Sequence, residues 1–210
     1  MTIEPLTPAR RREMTRRHLL DAAAMVFARD GFHGASLDDV AATAGFTKGA
    51  VYSNFKSKDD LFVAVFDDRL AREAEAMQAV LAVPPVVDGL TEQLPRVRSV
   101  IEGTWDDQWT ALHLEFALYA LRNPEAREKL AASVRREHEA TVRMLADVYA
   151  RVDGEPEFPL EVLATVSIAM FEGLALGRLI DPGAYSQQTL TDALTFLYMT
   201  IGVNGDPPPT

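Results

Sequence analysis

Apolar residues recur every three to four positions through most of the chain, which is the spacing of amphipathic helices. Near the start, this spacing predicts a helix from Pro8 to about Asp30, with Thr7 as its N-cap and Gly31 as its C-terminal stop. No segment has the alternation of apolar and polar residues that is typical of a half-buried strand. The sequence therefore predicts an all-α protein.

Three further helices are predicted between residues 36 and 82, each with a polar cap. Ser36 caps a short helix that ends at Gly45, Thr47 caps a second short helix, and Ser57 caps a long one. Two short helices joined by a tight turn form a helix-turn-helix, whose second helix fits the major groove of DNA. The predicted buried positions are Leu37, Val40, Ala41, Val51, Phe55 and Leu61, and the long helix carries the apolar pairs Leu61/Val65 and Phe62/Phe66, four residues apart.

Beyond a break at Pro84-Pro85, every remaining segment again has helical spacing. These segments cover about residues 88–103, 108–122, 124–151, 160–180 and 186–203, which brings the expected total to about nine helices. We expect a DNA-binding domain at 8–56 and an effector-binding and dimerisation domain at 57–203, in which 57–82 form a connecting helix. Residues 1–6 and 204–210 are expected to be disordered tails.

Composition is that of an ordinary globular chain, with 48% hydrophobic and 25% charged residues. No apolar run approaches the ~18 residues of a membrane span, and no secretory signal is evident, so we expect no membrane partner. The absence of cysteine excludes disulfides and thiolate metal sites, which agrees with a cytoplasmic location.

Charge is distributed unevenly along the chain. The net charge of −10 would oppose binding to phosphates, but residues 1–60 hold 9 basic and 8 acidic side chains. Basic residues cluster between Arg10 and Arg17 and between Lys48 and Lys58, where they favour phosphate contacts. An ordinary solvated charge run is the alternative interpretation.

Three sequence blocks between residues 18 and 62 resemble the N-terminal domain of the TetR family of transcriptional regulators. They are D-A-A…F…G-F at 21–32, D-D-V-A…A-G at 38–45, and K-G-A-V-Y-x-x-F-K-S-K-D-D-L at 48–61. The resemblance implies a homodimer that binds a palindromic operator and represses by default. It also implies release from DNA when a small molecule enters the C-terminal domain.

Candidate DNA contacts lie in and around the second short helix. Thr47 can offer a hydroxyl and free backbone N–H groups to a phosphate, and Lys48 can reach a phosphate or a guanine edge. Tyr52 is interpreted as a phosphate contact, with a core position as the alternative, and Ser36 is expected to be a cap more than a contact. The full set is Ser36, Thr47, Lys48, Gly49, Ala50, Tyr52, Ser53, Asn54, Lys56 and Lys58.

A dimer interface is predicted from the last two apolar segments. Ala169, Gly173 and Gly177 are spaced four apart and would let a second helix approach closely. We expect a four-helix bundle with a symmetry mate, with a fully intramolecular core as the alternative. The candidate interface residues are Val166, Ala169, Gly173, Gly177, Leu190, Leu194, Leu197 and Ile201.

An aromatic face on the segment 108–122 is the candidate effector site, because small-molecule sites combine apolar walls with a few polar groups. The candidate residues are Trp105, Trp109, His113, Phe116, Tyr119, Met144 and Phe171, and Glu115 and Arg178 are candidate polar anchors. The set suggests a hydrophobic or aromatic effector. An aromatic stripe of this kind is also typical of a core, and His113 could be a hydrogen-bonded core histidine.

Catalysis is not predicted. The four histidines are scattered, no Glu-x-x-His pair is present, and there is no phosphate-cradling glycine loop or nucleophile elbow. We expect no cofactor and no metal. A ligand-carrying helical protein, and an activator or regulator without effector-induced release, stay open as alternatives.

Overall fold

The computed structural model describes residues 7–81, 99, 106–151 and 155–186, together with positions 188, 189, 192, 193, 196 and 197. Seven helices lie in these ranges, and the predicted all-α class is confirmed. The predicted helix near 88–103 and most of the one at 186–203 lie outside the described residues, so the total of nine stays a prediction. The helices are α1 Pro8–Gly34, α2 Leu37–Ala44, α3 Lys48–Asn54, α4 Lys58–Leu81, α5 Asp107–Arg122, α6 Pro124–Arg151 and α7 Leu160–Ile180.

The first helix continues past its predicted stop. Thr7 caps α1 by accepting a hydrogen bond from the Arg10 N–H at 3.3 Å. Gly31 interrupts the helix with φ 72° and ψ 172°, but a further turn follows it to Gly34. That turn forms because the Glu115 carboxylate of α5 accepts its free N–H groups, those of Phe32 at 3.0 Å and His33 at 2.9 Å.

The helix-turn-helix has the predicted boundaries. Ser36 Oγ accepts from the Asp39 N–H at 3.1 Å at the start of α2, and Gly45 ends that helix in the left-handed region with φ 71°. Thr47 Oγ1 caps α3 by accepting from the Ala50 N–H at 3.3 Å. Because both ends of the turn are fixed by local hydrogen bonds, α3 has a defined start and direction.

The chain divides into two compact units. The first comprises Met1–Arg69 and Leu112–Ser133, and the second comprises Leu70–Ala111 and Val134–Thr210. These units are not contiguous in sequence, so they do not test the domain boundary expected between residues 56 and 57, which stays a prediction.

Aromatic packing forms the core of the first unit. Phe62 and Phe116 stack with their ring centroids 4.2 Å apart, and Phe32 meets both rings edge-on at 5.4 and 4.8 Å. Phe27 also meets Phe62 edge-on, at 5.2 Å. α5 thus supplies a fully buried ring to the unit that holds the helix-turn-helix.

Polar contacts join α6 to α4 within the first unit. The Lys129 ammonium binds the Asp60 carboxylate at 2.9 Å and the Glu125 carboxylate at 2.8 Å, and these hydrogen bonds raise its pKa. Ser133, which is fully buried, donates its hydroxyl proton to the Asp67 carboxylate. Together with the aromatic core, these contacts hold the start of α4 in place.

α6 and α7 form the core of the second unit. Leu145 and Tyr149 of α6 pack against Leu163 and Ala164 of α7, with Leu197 at the edge of the cluster. His138 Nε2 lies 3.0 Å from Thr165 Oγ1, which adds a polar contact between the same helices.

Two apolar helices have exposed surface in the single chain. The segment 108–122 is apolar on two sides, which predicts burial of both, but this prediction is wrong for the side of Leu118, which is 58% exposed, and Leu121, which is 69% exposed. Only Leu163 and Ala164 of α7 are buried. The length and apolar composition of this helix would suit a membrane span, which corrects the expectation from sequence that no run is long enough. Length and composition are weak arguments for a span, because a core helix or interface helix has the same properties.

Candidate nucleic-acid interface

The outer face of α3 is exposed and bordered by small residues. Thr47, Lys48 and Gly49 are exposed, whereas Val51 and Phe55 are buried in the first unit. Gly49 and Ala50 carry almost no side chain, so the backbone of the first turn can approach another surface closely. The helix thus divides into a packed side and an accessible side, as the sequence predicts.

Tyr52 lies on the accessible side of α3. It is 56% exposed, which excludes the alternative that it is a core tyrosine. Its neighbours Ser53 and Asn54 both donate to the Ala50 carbonyl, at 2.9 and 2.8 Å. In this state the phenol group is available at the surface, whereas the two shorter side chains are turned back onto their own helix.

Lys48 forms an ion pair with Asp38 of α2. Both side chains are largely exposed, at 67% and 52%. The hydrogen bond that the Lys48 ammonium donates to the Asp38 carboxylate, followed by the negative charge of that carboxylate, raises the pKa of Lys48. A DNA phosphate and Asp38 would therefore compete for the same ammonium group.

Lys58 contacts backbone carbonyls and an aromatic ring of its own chain. Its ammonium donates to the carbonyls of His33 at 3.2 Å and Ala35 at 3.0 Å, and lies 4.7 Å from the centroid of the Phe32 ring. These contacts fasten the segment between α1 and α2 to the start of α4. A DNA contact by Lys58 stays a prediction, while Lys56 is exposed beside it.

Ser36 acts as a cap in this structure, because its hydroxyl accepts from the Asp39 N–H and donates to the Asp39 carboxylate. The Glu115 carboxylate binds the turn that precedes Ser36, by accepting the N–H groups of Phe32 and His33. Sequence analysis made Glu115 a candidate polar anchor for a ligand and missed its role in positioning this turn. The one sequence feature that pointed to this positioning role is that Glu115 is an acidic residue on a mainly apolar helix.

Side chains of α1 contact the residues that flank α3. The Arg16 guanidinium lies 4.6 Å from the centroid of the Phe55 ring, just after α3. The His18 ring lies 6.1 Å from that of Phe46, just before α3. These contacts support α3 from behind and leave its outer face accessible.

Comparison with known sequence families agrees with this geometry. Residues 19–65 match the family described as bacterial regulatory proteins, tetR family, and residues 95–200 match the C-terminal part of BetI-type transcriptional repressors. The chain belongs to the TetR family. It is therefore a DNA-binding transcription regulator and not an enzyme, as predicted.

Individual TetR-family relatives match along most of the chain. The HTH-type transcriptional regulator YfiR of Bacillus subtilis is 25% identical over 179 residues, which are 82% of this chain and 83% of YfiR. FadR of Bacillus subtilis, solved with stearoyl-CoA, has a TM-score of 0.62 at 17% identity and 90% and 98% coverage. A transcriptional regulator of Saccharomonospora viridis, solved with choline, has a TM-score of 0.62 at 19% identity and 89% and 96% coverage. The two structures support the fold alone.

The candidate dimer residues of this TetR-family chain differ in their surroundings. Val166 is 50% exposed, Ala169 is exposed, and a Cβ added to Gly173 would meet nothing within 4 Å. Gly177 instead faces the ring of Tyr185, since an added Cβ would lie 2.5 Å from that ring. Leu197 packs at the edge of the chain's own core, and Leu190, Leu194 and Ile201 lie outside the described residues.

The candidate effector residues are divided between the two units. His113, Phe116 and Tyr119 belong to the first unit, whereas Trp109, Met144 and Phe171 belong to the second, and Trp105 lies outside the described residues. Phe116 has no exposed surface, and the Tyr119 ring packs 4.9 Å from that of Phe32. His113 lies 4.6 Å from the Phe66 ring, and burial lowers its pKa.

The two candidate anchors have structural partners. Glu115 binds the turn after Gly31, and the Arg178 Nε donates to the Asp107 carboxylate at 3.2 Å. Within the described residues, no group of three or more histidine, aspartate or glutamate side chains could hold a metal ion.

Proposed function

We propose that this chain is a cytoplasmic repressor that binds a palindromic operator as a homodimer. A small hydrophobic or aromatic effector, bound by the C-terminal domain, would release it from DNA. The observation that carries the proposal is the capped helix α3 with Tyr52 and Lys48 on its exposed face. The match to BetI-type transcriptional repressors supports repression over activation.

Operator reading is assigned to α3 and its two ends. Thr47 and the first N–H groups of α3 would bind one phosphate, and Tyr52 would donate its hydroxyl proton to another. Lys48 would exchange its contact with Asp38 for a phosphate or a guanine edge. Gly49 and Ala50 would allow the backbone to approach the bases, while Ser53, Asn54, Lys56 and Lys58 contribute contacts after local rearrangement.

Dimerisation is assigned to the exposed side of α7. Val162 is 47% exposed, Val166 is 50% exposed, and Ile180 is 74% exposed, and the surface at Gly173 is open. Exposed apolar side chains grouped on one side of a helix are typical of an interface. A second copy would bury it and place a second α3 on the other half-site, which a palindromic operator requires.

The effector site is assigned to the second unit, near Trp109, Met144 and Phe171. All three side chains are partly buried, and partly buried apolar groups suit a hydrophobic or aromatic ligand. The two related structures hold ligands as different as stearoyl-CoA and choline, so the fold leaves the effector to local side chains.

DNA reading by α3 is tested with the duplex recovered from a randomised library, using fluorescence anisotropy. Tyr52→Ala should weaken binding by at least about fivefold, since one lost contact of this kind is worth about 1–3 kcal/mol. Phe158→Ala, which removes a comparably exposed aromatic ring from the second unit, should bind like the wild type. Equal affinity of the Tyr52 variant and the wild type would refute the assigned face.

Dimerisation is tested at Gly173 by analytical ultracentrifugation. A Cβ added at Gly173 would meet nothing within 4 Å in the single chain. Gly173→Leu should therefore be tolerated by the single chain but should block a closely approaching partner helix. Gly173→Ala keeps the residue small and should remain a dimer. An unchanged sedimentation mass for the leucine variant would count against the interface.

The effector site is tested by fluorescence, because the chain has only two tryptophans. In a Trp105→Phe variant, Trp109 is the sole tryptophan. A compound that releases the duplex should change its emission. Release without any change would argue against a site beside Trp109.

A further inference from the structure

One side of α5 carries a row of apolar side chains, which we call the apolar row: Ala111, Leu114, Leu118 and Leu121. Their spacing of three, four and three residues is that of the contact positions of a coiled coil. Leu118 is 58% and Leu121 is 69% exposed, while Ala111 is exposed and Leu114 is half-buried. At 3.6 residues per turn the four side chains lie within about 80° of the helix circumference, so they form one stripe.

The apolar row is not used by the core of the chain. The side of α5 that packs into the first unit carries Phe116 and Ala120, which are buried. Single exposed apolar side chains are normal on a protein surface, and Met14 and Met25 of α1 are examples, since they stand eleven residues apart. Two leucines less than one turn apart and each more than half exposed form a continuous patch instead, which is typical of an interface.

Charges at the two ends of α5 favour a second α5 in the opposite direction as the partner. Asp106 and Asp107 stand at the start of the helix and Arg122 at its end, and all three side chains are exposed. Asp107 binds Arg178 and is still 53% exposed, whereas the Arg122 side chain has no ion pair or hydrogen bond within the described residues. Antiparallel pairing brings the basic end of each helix to the acidic start of the other, whereas parallel pairing aligns like charges.

The apolar row also fits itself in the antiparallel orientation. When Leu118 faces Leu114 of a second copy, Leu121 faces Ala111, so that a large side chain meets a small one at each end of the contact. In this register the guanidinium at the end of one helix lies about one turn, about 5 Å along the axis, from the acidic start of the other. An arginine side chain can reach over this distance.

We propose that the apolar row is a contact between two copies of this chain, in which two α5 helices pack against each other in antiparallel orientation. This inference rests on the proposed homodimer and adds a second contact to the one assigned to α7. Leu114, Leu118 and Leu121 belong to the same compact unit as α3. The contact therefore restricts the separation of the two α3 helices and favours one spacing of the half-sites.

Chemical cross-linking tests the contact, because the chain has no cysteine of its own. In Leu118→Cys the two thiols would lie four residues apart along the axis, about 6 Å, on helices about 8–10 Å apart. A short bismaleimide should therefore convert most of this variant into a covalent dimer on a denaturing gel. Met25→Cys is the matched control, because Met25 is 66% exposed in the same unit, and it should remain a single chain on the gel.

A second measurement gives the contribution of the contact to dimer affinity. Leu118→Gln/Leu121→Gln removes four leucines from the interface of each dimer and should raise the dimer dissociation constant at least about tenfold in sedimentation equilibrium. Met14→Gln/Met25→Gln, which removes two exposed apolar side chains from α1, should leave this constant unchanged. Both variants should keep the circular dichroism of the wild type, because the replaced side chains are exposed in the single chain.

The outcomes separate this inference from the homodimer on which it rests. If the wild type sediments as a dimer but Leu118→Cys cross-links no better than Met25→Cys, the inference is overturned and the contact through α7 is unaffected. An unchanged dissociation constant in the double leucine variant would have the same meaning. A wild type that sediments as a monomer at every concentration would refute the homodimer, and the α5 contact with it.

Discussion

Removing the Glu115 carboxylate should destabilise the turn that leads into the helix-turn-helix. Glu115 accepts the N–H groups of Phe32 and His33 at 3.0 and 2.9 Å, directly after the break at Gly31. In Glu115→Ala both donors lose their charged acceptor. A hydrogen bond to a charged group contributes about 1.5–3 kcal/mol, and water can replace part of this at the more exposed His33.

The expected total loss is about 2–4 kcal/mol, which corresponds to a fall in Tm of roughly 5–15 °C for a chain of this length. Thermal unfolding followed by circular dichroism measures it. Glu115→Gln should lose about half as much, because its amide can accept one N–H but presents its own donors to the other. Operator affinity should fall too, since the loosened turn leads straight to Ser36 and α2.

Glu139→Ala is the matched control. Glu139 is exposed and lies 4.0 Å from Arg143, so its removal should change stability by less than about 0.5 kcal/mol. A loss in Glu115→Ala no larger than in this control would refute the reasoning. It would mean that water satisfies the two N–H groups as well as the carboxylate does.

Three other substitutions have expected outcomes of known sign. Asp38→Asn removes the carboxylate that competes with DNA for the Lys48 ammonium and should raise DNA affinity severalfold, whereas the control Asp147→Asn in the second unit should not. Equal affinities of the Asp38 variant and the wild type, measured by anisotropy, would argue against a role for Lys48. Burial, with the nearby negative charges of other glutamates, raises the pKa of Glu137 to about 7, so the folded chain holds this proton to higher pH than the unfolded chain. Stability should therefore fall by at most about 3 kcal/mol as pH rises from about 4.5 to 7, and Glu137→Gln should abolish this fall; the same pH profile in both proteins would contradict the burial. Gly31→Ala should lower the free energy of unfolding by about 1–3 kcal/mol, because φ is positive and the added Cβ would lie 2.9 Å from the Glu115 carboxylate. Gly34→Ala should leave the stability unchanged or raise it, and equal melting temperatures of the two variants would rule out backbone strain at Gly31.

The start of α1, the end of α2 and the start of α3 could be predicted because local interactions set them. Thr7 and Thr47 each accept a hydrogen bond from an N–H three residues later, and Gly45 adopts the left-handed conformation that a glycine permits. Such interactions depend on residues only a few positions apart. The spacing of apolar residues likewise identified Val51 and Phe55 as buried.

Contacts between distant segments could not be read from the pattern. Lys58 suits a DNA phosphate by sequence, but its reach to the carbonyls of His33 and Ala35 follows from how α4 starts against α1. The Glu115 carboxylate meets a turn 82 and 83 residues away, and only the folded chain brings the two together. The same holds for Gly177, whose small size is explained by the ring of Tyr185.

Selection of binding sites from a randomised duplex library tests the central claim most directly. The wild type should enrich a two-fold symmetric sequence whose half-site centres are separated by about one helical turn of DNA or a multiple of it. In parallel, Tyr52→Ala should enrich it weakly or not at all. Recovery of no preferred sequence by the wild type, or of the same site with equal enrichment by the variant, would contradict operator reading by α3.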